Sequence, residues 1–279
     1  MWSEVTNQEL SLKLEGALAP TATSLAQFAG DVTTAVAESA SLEQGEVVLS
    51  AKITSPIGKK VKLEVAVGQS LGTTATAVSA LVDSGTVVTV SLTNLADGDY
   101  FWQARTLDVD GNASAWIPFG APAITDFKIR RIPVIIIPGI LGSELSNGSD
   151  LIWPDLGQMF GDIGDEFMSA ALGLDSSGDS INQVTVGSAV ETMLDGVRFA
   201  EVNIFQDLHQ QLENDQYVDN ANLSFFPYDW RLDLDETKDL LKQKIDAVKA
   251  QTGASKVNLV AHSMGGLLVK DYLSQYGKS

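Results

Sequence analysis

A run of six residues at 133–138, Pro-Val-Ile-Ile-Ile-Pro, constrains the fold of this chain more than any other feature. Between the two prolines every residue is β-branched, and no polar residue alternates with them. A strand with one face in water alternates apolar and polar side chains, whereas a strand covered on both faces does not. The run therefore predicts a central strand of a parallel sheet with helices on both sides.

The residues after this strand alternate between helical and extended patterns. Short apolar runs at 223–226 and 257–261 predict two more buried strands, and residues 265–276 predict a helix after the second. Two further helices are predicted from apolar residues at helical spacing: Phe205, Leu208 and Leu212 in the first, and Leu241, Ile245 and Val248 in the second, with Asp235 as its N-cap. This alternation predicts an α/β domain over residues 130–279.

The N-terminal half has a different texture. Between about residues 18 and 129, apolar and β-branched residues alternate with polar ones in runs that Gly, Ser, Asp and Asn interrupt. This rhythm predicts an all-β sandwich of antiparallel strands, preceded by a leader of uncertain structure at residues 1–17. The candidate strands are residues 46–53, 60–67, 86–92, 99–108 and 125–129.

A predicted hairpin closes the strand at 99–108. Asp-Gly-Asn at 110–112 is a turn signal, and residues 98–105 and 108–116 around it resemble the fibronectin type III-like or immunoglobulin-like modules attached to bacterial exported proteins. Asp108 and Asp110 could also be calcium ligands. A calcium loop needs several more oxygen donors at fixed spacing, so we favour a plain turn.

Residues 146–200 follow neither helical nor strand periodicity clearly. Apolar side chains such as Phe160 and Phe167 are interleaved there with glycines and acidic residues. A stretch of this length inside an α/β domain is more often a functional insertion than a plain loop. We interpret it as a cap or lid over the site, with a simple surface excursion as the alternative.

The stretch Ala-His-Ser-Met-Gly at 261–265 has the composition of a turn that exposes a nucleophilic serine. Such an elbow needs small residues two positions before and after the serine, because the strand and the helix meet closely there. Ala261 and Gly265 satisfy this requirement, although the first position is more usually glycine. Ser263 is therefore the candidate nucleophile, and the Met264 N–H is a candidate donor to the oxyanion. A chance match at an ordinary strand–helix junction is the competing interpretation.

A second oxyanion donor is expected from the loop Pro-Gly-Ile-Leu-Gly-Ser at 138–143, which follows the apolar strand. Its glycines would let the backbone approach a bound acyl group, and the Ile140 N–H is the candidate donor. The alternative is a glycine turn without a catalytic role.

The other members of a catalytic triad are not apparent. The chain has two histidines: His209, expected on or near the solvent face of its helix, and His262, expected to pack behind the turn. Neither is a good general base on this reasoning. Asp229 follows a predicted strand, and we favour for it an ion pair or hydrogen bond that fixes a loop near the pocket.

Three motifs together make residues 132–276 resemble the lecithin:cholesterol acyltransferase-like family of α/β hydrolases. They are the loop and its continuation at 138–145, Phe-Pro-Tyr-Asp-Trp-Arg at 226–231, and Val-Ala-His-Ser-Met-Gly-Gly at 260–266. The resemblance implies acyl transfer from an ester, usually of a lipid, through an acyl-serine intermediate. We expect no cofactor and no metal. In that family the acid and histidine lie further downstream, so no residue here inherits those roles. We expect an incomplete, inactive α/β-hydrolase domain, and a non-catalytic binding or adhesion protein is the alternative.

Composition limits the partners. Thirty-six acidic residues against 18 basic ones give a net charge of −18, which argues against binding nucleic acid or an anionic membrane by charge attraction. The absence of cysteine excludes disulfides and thiolate zinc sites, and no apolar run is long enough to span a bilayer. The β-rich, acidic composition favours an extracellular or cell-surface location, although no export signal is recognisable.

Overall fold

The computed structural model describes residues 19–154, 171–190, 192–193, 202–203 and 205–277. The chain divides into two compact units, Met1–Ile129 and Arg130–Ser279. The predicted leader at residues 1–17 lies outside the described residues. None of the helices within the described ranges combines the length and apolar character that crossing a bilayer requires.

The first unit contains two β-sheets. Its strands in chain order are β1 Thr21–Phe28, β2 Ala40–Leu42, β3 Val47–Thr54, β4 Val61–Gly68, β5 Ala77–Val78, β6 Val87–Leu92, β7 Gly98–Asp108, β8 Ile117–Pro118 and β9 Phe127–Ile129. One sheet has the order β1-β3-β6, and the other has the order β2-β9-β7-β4-β5, with β8 also paired to β7. All the pairs are antiparallel except β2 with β9.

Alternate residues of both sheets form one apolar core. Trp102 and Phe127 are fully buried in it, and the Trp102 indole stacks on Phe119 at 5.0 Å. The Trp102 Nε1–H donates to the buried Gln27 Oε1 at 3.0 Å, so the polar atom of this large side chain is satisfied. The ends of five strands lie within two residues of the ends of the five segments predicted from the sequence: β3, β4, β6, β7 and β9. The sequence did not predict β1 or the short strands β2, β5 and β8.

The predicted turn after β7 uses the Asp108 carboxylate internally. Its Oδ1 accepts from the N–H groups of Asp110 at 3.0 Å and Asn112 at 2.9 Å, and its Oδ2 accepts from the Asn112 side chain. These hydrogen bonds, chiefly from Asn112, hold the pKa of Asp108 below its ordinary value. Asp110 pairs with Lys59. These partners support the plain turn.

The second unit is built around a parallel sheet. Its elements in chain order are β10 Val134–Ile137, β11 Ser143–Asn147, β12 Asp150–Trp153, β13 Val184–Ala189, β14 Thr192–Met193, β15 Val202–Asn203, α1 Gln206–Asn214, β16 Leu223–Phe225, α2 Leu234–Thr252, β17 Asn258–Ala261 and α3 Met264–Tyr276. β10 is the central strand of the parallel order β16-β10-β17, and all four of its residues are buried. Residues from α2 and α3 cover one side of it, and Phe205 and α1 cover the other.

Two details differ from the sequence expectations. The strand at 257–261 was predicted to be buried, but Asn258 and Ala261 of β17 are exposed, because among the described strands β17 pairs with β10 alone. The N-cap of α2 is Asp233 and not Asp235: its side chain accepts from the Asp235 N–H at 2.9 Å. Asp235 instead lies in the first turn and binds Lys238.

The described part of the 146–200 segment contains strands. β11 pairs with β12 on one side and β13 on the other, which makes a small antiparallel sheet directly after the glycine loop. Residues 155–170 and 194–200, with most of the apolar residues behind the lid interpretation, lie outside the described residues. The lid role stays a prediction.

Candidate active site

Ser263 occupies the tight connection between β17 and α3. Its backbone has φ 53° and ψ −121°, a conformation that costs a non-glycine residue about 1–3 kcal/mol. The residue is exposed, and its hydroxyl makes no hydrogen bond to any described residue. A strained, exposed and unpartnered serine is the geometry that the elbow prediction requires, and its catalytic role stays a prediction.

The helix after the elbow passes directly over the end of β10. A Cβ added at Gly265 would lie 2.5 Å from the Pro138 carbonyl oxygen and 2.7 Å from that of Ile137. Both obstacles are backbone atoms, so no side-chain rotation can relieve the clash. The requirement for a small residue two positions after the serine therefore comes from the contact between α3 and β10.

The glycine loop at 138–143 packs against the elbow. A Cβ at Gly139 would lie 2.9 Å from the Ser263 Cβ and 3.1 Å from the His262 carbonyl oxygen. The loop turns sharply there, with a hydrogen bond of 3.1 Å from the Gly142 N–H to the Gly139 oxygen and φ +63° at Leu141. Two glycine-dependent turns that are far apart in sequence thus meet at Ser263.

The two candidate oxyanion donors flank this meeting point. Met264 is the first residue of α3, and Ile140 directly follows Gly139. Within the described part of the chain neither N–H donates to a protein acceptor. Both are therefore free to donate to a bound oxygen, and their role as an oxyanion hole stays a prediction.

Aromatic side chains brace the loop from outside. The buried Tyr228 donates its phenol O–H to the Pro138 oxygen at 3.1 Å, and burial raises its pKa to about 12. The Trp230 Nε1–H donates to the Ser143 oxygen at 3.2 Å, and the Trp153 Nε1–H donates to the Leu141 oxygen at 2.7 Å. The two indoles meet edge to face at 6.1 Å. These neutral donors hold the carbonyl groups of the loop and so set its backbone conformation.

Asp229 forms the ion pair that the sequence analysis favoured. Its carboxylate accepts two hydrogen bonds from the Arg231 guanidinium, at 2.9 Å from Nε and 2.6 Å from Nη2. The Arg231 side chain also donates to the Leu172 oxygen and the Ser180 hydroxyl, both at 2.9 Å. The pair therefore ties the 171–180 segment to the strand end that carries Tyr228 and Trp230.

Neither histidine is hydrogen-bonded to the Ser263 hydroxyl. The His262 ring meets Phe205 edge to face at 5.9 Å. His209 is less exposed than expected, with 16% of its side chain accessible, because its ring packs on Phe225 at 5.5 Å. It contacts Asp219 at 2.9 Å.

The sequence did not predict the hydrogen bonds that Tyr228, Trp230 and Trp153 donate to the loop. Tyr228 and Trp230 lie in the 226–231 motif, but a resemblance to a family does not identify the acceptor of each side chain. Trp153 gave no usable signal, because a lone tryptophan in an irregular segment does not indicate its hydrogen-bond acceptor.

Residues 177–279 match the lecithin:cholesterol acyltransferase family. Lecithin-cholesterol acyltransferase-like 4 of Arabidopsis thaliana is 29% identical over 164 residues, which cover 50% of this chain and 30% of that protein. The chain thus spans about 30% of the length of this curated relative.

Two solved structures show weak likeness. The PKD domain of an M14-like peptidase from a Thermoplasmatales archaeon is 14% identical, covers 39% of this chain and 96% of that domain, and has a TM-score of 0.27. The soluble domain of PmoD from a Methylocystis species is 13% identical, covers 34% of this chain and 86% of that chain, and has a TM-score of 0.23. At these scores neither likeness defines a fold.

Proposed function

We propose that residues 130–279 form the nucleophile-bearing part of an α/β-hydrolase domain that transfers acyl groups from lipid esters through an acyl-serine intermediate. The observation that carries this proposal is the strained Ser263, exposed at the point where α3, β10 and the glycine loop converge. The match of residues 177–279, which include Ser263, to the lecithin:cholesterol acyltransferase family also supports it. The 138–143 loop lies outside the matched residues, so its contact with the elbow is additional support from the structure.

In the proposed reaction the Ser263 oxygen attacks the ester carbonyl carbon. The carbonyl oxygen becomes an oxyanion, to which the Ile140 and Met264 N–H groups donate. Collapse of this intermediate breaks the bond to the leaving alcohol and leaves the acyl group on Ser263. Water or a second alcohol then takes the acyl group and regenerates the hydroxyl.

The hydroxyl proton must pass to a general base during the attack. Among the described residues no imidazole or carboxylate is hydrogen-bonded to Ser263. We therefore expect acylation of the 279-residue chain to be slow, and expect faster acylation in any longer natural form that supplies a base. Lipid is the proposed acyl donor because residues 177–279 match the lecithin:cholesterol acyltransferase family. Ile140, 56% exposed, adds an apolar side chain to the glycine loop that packs on the elbow.

A fluorophosphonate probe tests the role of the serine. We expect site-specific labelling at Ser263 that is lost in Ser263→Ala and kept in Ser274→Ala, a matched control because Ser274 is an exposed serine on α3. Labelling should be weak in the 279-residue chain, because no described base is hydrogen-bonded to the hydroxyl. Labelling of Ser263 no greater than that of Ser263→Ala, even at high probe concentration, would overturn the proposal and favour a non-catalytic binding protein. Efficient ester turnover by the chain alone would contradict the expectation about the base.

A further inference from the structure

Helix α1 and the loop after it bring one imidazole and two carboxylates together. His209 and Glu213 are four residues apart and so share one face of the helix. Asp219 lies between α1 and β16, and its Oδ1 is 2.9 Å from the His209 Nε2. One ligand atom from each of the three residues lies within 4.8 Å of the others.

A cavity beside this cluster contains a polar group without a partner. The cavity has a volume of about 360 Å³, and His209, Asp219 and Ser224 are among the residues that line it. The Ser224 hydroxyl oxygen is buried, yet within the described part of the chain it has no hydrogen-bond partner. Buried hydroxyl groups are mostly satisfied, so this one is an unused polar group in a residue that also lines the cavity.

The imidazole is held in place before any ligand binds. Its ring packs at 80° against Phe225 on β16, while Glu213 and Asp219 are exposed and can adjust. A rigid nitrogen donor beside two adaptable oxygen donors needs little reorganisation to close around a small cation.

We propose that His209, Glu213 and Asp219 bind a divalent transition-metal ion such as Zn²⁺. One imidazole nitrogen and two carboxylate oxygens are a donor set that Zn²⁺ accepts, with a water in the fourth position. Ca²⁺ and Mg²⁺ favour oxygen ligands throughout. A water in the fourth position would lie toward the cavity that His209 and Asp219 line. The ion would tie α1 to the loop before β16.

The spacing of His209 and Glu213 is visible in the sequence, but Asp219 joins them only in the folded chain. The sequence analysis expected no metal, and the proposed site departs from that expectation. The site does not depend on the proposed acyl transfer. The net charge of −18 also favours accumulation of cations near the protein.

Isothermal titration of the metal-stripped, tag-free chain with ZnCl₂ tests the proposal. The background is low because the chain has no cysteine and only 2 histidines. We expect binding of one ion, weakened by about tenfold or more in Glu213→Gln and in His209→Gln. We expect unchanged binding in Asp215→Asn, a nearby acid outside the cluster, and in His262→Gln. MgCl₂ should give no comparable binding.

Glu213→Gln makes the test independent of misfolding, because Glu213 is exposed and the substitution keeps its size. Zn²⁺ should also raise the thermal midpoint of the unmodified chain and of Asp215→Asn but not that of Glu213→Gln. Absence of saturable Zn²⁺ binding would overturn the proposal. So would a result in which Glu213→Gln and His209→Gln bind Zn²⁺ as tightly as the unmodified chain does.

Discussion

Replacing Arg231 with methionine tests how strongly the buried ion pair holds the second unit together. The side chains of Arg231 and Asp229 are 5% and 10% exposed, so solvent screens their attraction little. Removal of the guanidinium leaves the Asp229 charge buried and frees two more acceptors, the Leu172 oxygen and the Ser180 hydroxyl. Loss of one partner of a buried pair costs about 3–5 kcal/mol, and we expect a loss of that size in the free energy of unfolding.

A double-mutant cycle separates the pair from its surroundings. Asp229→Asn alone should also destabilise, because it leaves the guanidinium buried with a neutral partner. The double variant should cost less than the sum of the two single variants, because neither change then leaves an isolated charge. Lys242→Met is the matched control: its i,i+4 pair with Asp246 is 40% and 56% exposed, and such a pair contributes about 0.3–0.5 kcal/mol.

The assay is urea unfolding followed by the helical signal in far-UV circular dichroism. All the helices in the described residues belong to the second unit, so this signal reports the unfolding of that unit. A cost below about 1 kcal/mol for Arg231→Met, similar to that of the exposed control, would refute the reasoning, because it would show that water screens the pair.

Three further outcomes follow from single side chains. Gly265→Ala should lower the free energy of unfolding by roughly 1–3 kcal/mol or more, seen as a lower urea midpoint, because its Cβ meets backbone oxygens at 2.5 and 2.7 Å. Gly266→Ala is the control: a Cβ at this position has no atom within 4 Å, so this variant should not destabilise the protein. Equal losses of unfolding free energy in the two variants would contradict the packing argument. The Tyr228 phenol has a pKa raised from 10.0 to about 12, so its contribution to the free energy of unfolding is complete below pH 10 and is lost as the pH rises through 12. Tyr228→Phe should therefore lose less stability than the unmodified chain as the pH rises over this range. Thermal midpoints between pH 9 and 12 check this, and an unchanged alkaline slope would count against it. Burial raises the pKa of Asp126, so its contribution is greatest below pH 3.8 and declines as the pH rises through the raised value. The unmodified chain should therefore lose more stability than Asp126→Asn between pH 4 and pH 7, as thermal midpoints would show, and equal losses in the two would oppose this.

The elements closest to prediction are those whose pattern follows directly from burial. β10 contains only β-branched residues and is covered on both sides, and the β-rich first half alternates because one face of each sheet meets the core. β17, Asn-Leu-Val-Ala, was also predicted as a buried strand from its apolar residues, but it is partly exposed. The residue composition of a strand indicates whether it can be buried, but it does not indicate how many strands pair with it in the sheet.

The same division applies to the candidate site. Local sequence patterns predict that Ser263 lies at a strand-to-helix turn with small flanking residues, and that a glycine loop follows the central strand, because backbone geometry restricts those positions to few residue types. What lies against these two turns is visible in the folded chain alone. It places Gly139 on the Ser263 elbow, braces the loop with Tyr228, Trp230 and Trp153, and joins Asp219 to His209. Contacts between distant segments depend on how the sheets and helices pack, and local sequence patterns carry no record of that packing.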